Sequence, residues 1–235
     1  NVTSYSDSIM NSNRNLLANN LEQNGVNGQR SRIDPILYIF GHSDSIVAVD
    51  VSIELNLIVS VDSNCFLMLS NLSNGNLVRS FMLPKRPKRV FLFNLGFIVT
   101  IYETQEVVKE NYEGQNSQSD SNLGSIQSVT KTSYFTKIEL RDLAGRIIAE
   151  KENSYEAQIF HKCTLGDYSE YLAVIFLTNP KTQHYNLLLF RIYDLEIVSV
   201  KSTNQRILSI TFNNNINSFV LCSESSTTIF TISDE

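Results

Sequence analysis

His42 is the first residue to invite a chemical reading. It lies near Asp44, Asp62 and several serines in "GHSDSIVAVDVSIELNLIVSVDS" (Gly41 to Ser63), the residue types of a serine nucleophile relay. A second use of the same side chain is stronger. A histidine at the opening turn of a β-hairpin can hydrogen-bond a turn carboxylate such as Asp62 and so satisfy a buried polar group. His161 and Cys163 stand two residues apart, on one side of a strand, which is half of a possible metal site. No second pair follows at ligand spacing, so "IFHKC" reads as a core strand, and His184 in "NPKTQHY" reads as a loop residue. No metal and no cofactor is expected.

The chain has no G-x-G-x-x-G, Walker loop, G-x-S-x-G or H-E-x-x-H pattern. Its three cysteines, Cys65, Cys163 and Cys222, are widely spaced and read as small buried hydrophobes in a reducing compartment. The net charge of −5 offers no general attraction to nucleic acid or anionic lipid. The one dense basic run is "PKRPKR" (Pro84 to Arg89), where Lys85, Arg86, Lys88 and Arg89 form an exposed loop. It is a candidate contact for acidic protein or, weakly, anionic lipid. No aromatic residues interleave with it, so nucleic acid is not expected.

These residues must be held by β-structure. Residues 1–34 are rich in Asn and Ser and too poor in apolar side chains to offset ordering entropy, so they are expected to be mostly disordered. A short helix around Leu16, Leu17 and Leu21 is the exception. From Ile36 onward, sixteen apolar runs of four to eight residues are bounded by Asn, Ser, Asp or Gly, which predicts short antiparallel strands. A polar insertion at 104–132 interrupts them. The longest apolar run, Val90 to Tyr102, is shorter than the roughly 20 residues of a membrane-spanning helix. No signal peptide is visible, the sequons at Asn1 and Asn71 carry little weight, and a chain opening at Asn1 reads as a fragment.

Four strands end alike, in "LSNL", "LRDL", "IYDL" and "ISDE", with Asn71, Asp142, Asp194 and Asp234 as the shared polar position. The intervals are 71, 52 and 40 residues. Without the polar insertion the first falls to roughly 41, inside the roughly 40–45 residues of a WD-type repeat. The second fits if "TNPKTQHYN" is a lengthened hairpin loop. Four units follow, at 45–83, 88–150, 156–201 and 206–234, the last stopping after its third strand. The strand "ILYIF" (Ile36 to Phe40) is then the missing fourth strand carried at the other end, a closure used by β-propellers.

Gly41-His42 with Ser60 and Asp62 resembles a WD repeat. More narrowly, "GHSDSIVAVDVSIELNLIVSVDS", "NGNLVRSF" and "LRDLAGRIIAEKE" resemble the C-terminal WD-repeat propeller of BEACH-domain proteins, the neurobeachin and lysosomal-trafficking-regulator group. The resemblance is specific over about 37–83, weaker over 134–235 and absent from 1–34 and 104–132. It implies an all-β, WD-type propeller of about four four-stranded blades, the C-terminal part of a larger ring, spanning 35–235. It also implies a non-catalytic scaffold for protein partners in membrane traffic, cytoplasmic and peripheral on membranes, preceded by BEACH and pleckstrin-like domains. Two departures stand out. There is no Trp, and Gly-His is missing from the other three units. The alternative is a propeller-type hydrolase or a sugar-binding propeller, with residues from several blades meeting at a central channel.

Overall fold

In the computed structural model, the described residues are 38–112, 127–165, 169–213 and 216–231. They form fifteen strands in four antiparallel sheets, each running through its strands in chain order. The first sheet holds β1 (Ile46–Ser52), β2 (Leu57–Asp62), β3 (Phe66–Asn71) and β4 (Leu77–Met82). The second holds β5 (Arg89–Phe93), β6 (Phe97–Tyr112), β7 (Gln127–Asp142) and β8 (Ile147–Asn153). The third holds β9 (Glu156–Leu165), β10 (Ser169–Asn179), β11 (His184–Arg191) and β12 (Ile197–Thr203). The fourth has three strands, β13 (Ile207–Asn213), β14 (Ser218–Ser223) and β15 (Thr227–Thr231). The segment expected to be disordered, with its short helix, and Asp234 lie outside the described residues.

β-Branched and aromatic side chains favour this architecture because they pack well on a pleated surface. Single four-stranded sheets of this size expose too much apolar area, so each packs on its neighbour. Three cores result. Val59, Val61, Leu67 and Leu69 of the first sheet meet Val90, Leu92 and Ile98 of the second. Phe93, Val99, Ile138 and Leu140 meet Leu172, Val174, Phe176 and Phe190 of the third. Ala173, Ile175, Leu187 and Leu189 meet Ile210, Phe219 and Leu221 of the fourth. The central strands of the second and third sheets are therefore covered on both sides, as their unbroken apolar runs predict.

Four expectations need correction. Tyr38–Phe40 of "ILYIF" is not a strand, and β15 pairs only with β14 among the described residues. Tyr38 and Phe40 stay exposed and stack on each other, with ring centroids 6.2 Å apart. The polar insertion at 104–132 does not interrupt the strands over its described residues, 104–112 and 127–132. β6 and β7 run on as a regular ladder from Phe97↔Asp142 to Tyr112↔Gln127, whereas β5 stops opposite Ile101 and β8 stops opposite Thr136. A two-stranded ribbon therefore leaves the second sheet. The third correction is the hairpin at "TNPKTQHYN", where the strands lengthen instead of the loop and Asn179 pairs with His184.

The fourth concerns the repeat register. Asn71 accepts Gly75 N–H and donates to Asn76 O; Asp142 accepts Gly145 N–H and donates to Arg146 O. In the third sheet the residue making these bonds is Arg191, with Leu195 and Glu196, and Asp194 sits three places on, in the turn. The residue in the left-handed region is Gly75 (φ 72°), Gly145 (φ 88°) or Leu195 (φ 58°). A leucine tolerates it because its side chain is wholly buried in the core between the second and third sheets. Gly145 has a further constraint, since a Cβ there would lie 2.9 Å from Phe81. Gly145→Ala should therefore cost about 1–3 kcal/mol, read as a shift of the urea midpoint at constant slope.

Candidate functional site

The WD-repeat resemblance sets Gly41 and His42 at the entry turn, Ser60 in the second strand and Asp62 in the turn after it, and the structure brings the side chains of His42, Ser60 and Asp62 together on the face of the first sheet turned away from the second. His42 Nδ1 lies 3.0 Å from Asp62 Oδ2, and Nε2 lies 2.7 Å from Ser60 Oγ. One proton arrangement satisfies all three groups. Nδ1–H donates to Asp62, and Nε2 accepts the Ser60 hydroxyl. The other Asp62 oxygen accepts the Asn64 and Phe66 amides at 3.0 Å each, closing the turn between β2 and β3. Burial alone would raise the Asp62 carboxyl, but those amides and His42 hold it below its usual value. Gly41 precedes the histidine at φ 140°, where a Cβ would meet Met68 Cε at 2.4 Å. Met68 Cε, the end of a flexible side chain, could move aside, so it is the φ of 140° that favours glycine here.

The connectivity is that of a nucleophile relay, but the exposure is not. Ser60 is 7% exposed and Asp62 0%, so its hydroxyl has no open approach for a reactant. The arrangement acts as a clasp, tying the segment before β1 to the β2–β3 hairpin. Asp44 takes no part and instead accepts the Ser45 amide at 2.6 Å.

A second polar system, which sequence reasoning passed over, joins the sheets. Lys162 reaches from β9 of the third sheet to Leu92 O of the second at 2.9 Å and to Asp50 Oδ2 of the first at 2.9 Å. Asp50 Oδ2 also accepts the Leu92 amide at 2.8 Å. The buried Glu170 of β10 accepts the Asn94 and Leu95 amides, both at 2.8 Å, in the turn after β5. The available signal was a lone charge inside an apolar strand: Asp50 in "IVAVDVS" and Lys162 in "IFHKC".

A third system lies on β7, where Lys137, Glu139 and Arg141 alternate onto the face that packs on the first sheet. Glu139 is 2% exposed, 2.5 Å from Arg141 Nη2 and 3.1 Å from Lys137 Nζ, which also meets Glu150 at 2.6 Å. Burial would raise the Glu139 carboxyl, but the two cations overcome it and hold it below its usual value. Burial pushes the neighbouring Tyr102 phenol up, and the Glu139 charge adds to that.

The basic loop is less available than its composition suggests. Lys88 pairs with Glu103 and donates to Ala157 O of the third sheet at 2.9 Å, so it is a clamp. Lys85 donates to Thr104 Oγ1 at 2.8 Å and lies over the Tyr102 ring. Arg86 and Arg89 remain exposed. His161 and Cys163 both lie on β9, and burial lowers the histidine's pKa. Among the described residues no three His, Cys, Asp or Glu side chains are grouped to hold a metal ion. His184 begins β11 rather than lying in a loop, with Nδ1 2.6 Å from Asn204 Oδ1. All three cysteines are free thiols, and burial pushes Cys163 up to about 12. Cys163 should resist iodoacetamide in the folded protein and react once the chain is unfolded in urea, as peptide mass mapping would show.

No protein-family model matches the chain, and no curated protein does. Solved structures do. The computationally designed Ika4 protein is 10% identical with a TM-score of 0.51, the match covering 86% of this chain and 100% of Ika4. The computationally designed Ika8 protein is also 10% identical with a TM-score of 0.48, covering 83% of this chain and 48% of Ika8. At these identities the likeness to Ika4 speaks to fold alone. Among the described residues no helix is long and apolar enough to cross a membrane.

Proposed function

We propose that the chain is a WD-type β-propeller segment serving as a non-catalytic platform for protein partners. The observation that carries this reading is the bond from Lys162 of the third sheet to Asp50 of the first, 112 residues apart, past the backbone of the second. Such a contact needs the leading strands of successive sheets to converge on one line, as blades do on a propeller axis. The clasp of His42, Ser60 and Asp62 supports it, because it occupies the positions of the WD-repeat resemblance. The resemblance over residues 37–83 further supports placement in a BEACH-type protein of vesicle traffic, cytoplasmic and peripheral on membranes.

Two experiments test the proposal. Sequencing the transcript upstream of Asn1 should reveal BEACH and pleckstrin-like domains; an unrelated upstream region would overturn the family placement. Affinity capture of the full-length protein should lose partners when Arg86 and Arg89, the exposed cations of the basic loop, are changed to Ser and residues 104–132 are replaced by a Gly-Ser linker. An unchanged partner set would remove those segments from the binding surface. A relay reading of Ser60 would require labelling by a fluorophosphonate probe, which the burial of Ser60 predicts will not occur.

A further inference from the structure

We infer that the free edge of β7, where the ribbon leaves the second sheet, receives an extended peptide of a partner protein as an added strand. This deepens the interaction-platform reading and rests on it.

The argument starts from the phase of the ladder. Asp142 donates its N–H to Arg146 O, on the β8 side. Backbone groups alternate sides along a strand, so the even-numbered residues of β7 direct theirs the same way. Thr136 finds Asn153 there, the last residue of β8. Two residues further along the ribbon, Tyr134 and then Thr132 direct N–H and C=O to the same side, where β8 has ended. Neither finds a backbone partner there among the described residues. An edge of unpaired backbone groups is a template for another strand.

A groove of about 650 Å³ runs along that edge. Tyr134, Tyr155, Leu177 and Pro180 line it with apolar and aromatic surface, and Glu156 is the only charged residue of its lining. An incoming strand would place alternate side chains into it. The fitting ligand is therefore an extended segment with β-branched or aromatic residues at alternate positions and a Lys or Arg near Glu156. The exposed Phe135 borders this groove and also the neighbouring hollow lined by Lys85, Thr104 and Lys137, so the strand's other side chains pass over a mixed surface.

The test pans a displayed library of random short peptides on the full chain and measures the enriched peptides by fluorescence anisotropy. Tyr134→Pro removes an outward N–H without touching the β6–β7 ladder and should weaken binding about tenfold or more. Gln105→Pro is the matched control: Ile101 O accepts from the β5 side, so odd residues of β6 face away from the groove, and binding should persist. A second readout leaves the protein unaltered. The enriched peptide N-methylated at one set of alternate amides should lose binding, whereas the copy methylated at the other set keeps it. Enrichment of no peptide, or peptides indifferent both to Tyr134→Pro and to N-methylation, would overturn the inference. Partners captured by full-length protein through other surfaces would leave the platform reading standing.

Discussion

Glu139→Ala should destabilise the fold by about 3–5 kcal/mol, because it strands Arg141 in the packed space between the first two sheets. Arg141 is 6% exposed and its Nε has no partner, so its charge depends on Glu139 and on Gly145 O. Lys137 loses less, since it retains Glu150. The control is Glu150→Ala, which removes a half-exposed partner and should cost less than about 1 kcal/mol. The pH dependence carries the same signature. Glu139 is held below its usual pKa in the folded state. Its contribution is therefore complete above the ordinary glutamate range near about 4.3 and is lost as pH falls through the depressed folded value. Urea midpoints measured from neutral pH down to acid should fall for the wild type, and Glu139→Ala should flatten part of that fall. An unchanged acid limb would show that Glu139 is not ion-paired in solution.

The second large effect lies in the core between the second and third sheets. Phe190→Ala should cost about 3–5 kcal/mol. Phe190 is wholly buried, meeting Leu172 and Val174 on its own sheet and Phe93 and Leu140 across the gap. The contrast is Ile229→Ala. Ile229 is 60% exposed, on the face of the fourth sheet turned away from the third, and should cost no more than about 0.5 kcal/mol. Equilibrium unfolding of the two variants compares a covered sheet face with an uncovered one. Equal losses would mean that the fourth sheet's outer face is also covered in solution.

Much of the fold was legible because strand chemistry is local. The runs "NLIVSVD", "YLAVIFL" and "NLLLFRIYDL" became central strands, and the unit limits 45–83, 88–150, 156–201 and 206–234 fall close to the sheet limits. The failures share a physical cause. "ILYIF" has strand composition, but whether a strand forms depends on an edge to pair with, and Tyr38–Phe40 pairs with none. The polar insertion lacks a core-facing run, yet β6 and β7 go on pairing with each other far beyond the core. Asp194 resembles Asn71 and Asp142 as a letter, but the hydrogen bonds of the turn pass to Arg191, a shift that only backbone geometry shows.

The site divides in the same way. His42 and Asp62 could be paired from their residue types, and the WD-repeat resemblance added Gly41 and Ser60, because a single hairpin brings all four together. Lys162, Asp50 and Glu170 could not, since their partners come from different sheets. Lys88 was read as an interaction residue for its charge, and its partners Glu103 and Ala157 O make it a clamp instead.

The convergence of the first three sheets is tested most directly by a double-mutant cycle between Asp50 and Lys162. Asp50→Asn, Lys162→Met and the double variant would be unfolded in urea at neutral pH. The two positions are 112 residues apart and belong to sheets separated by a third. They couple only if β1 and β9 meet across β5. The structure predicts an interaction energy of about 0.5–3 kcal/mol. Additive losses, with coupling indistinguishable from zero, would contradict it.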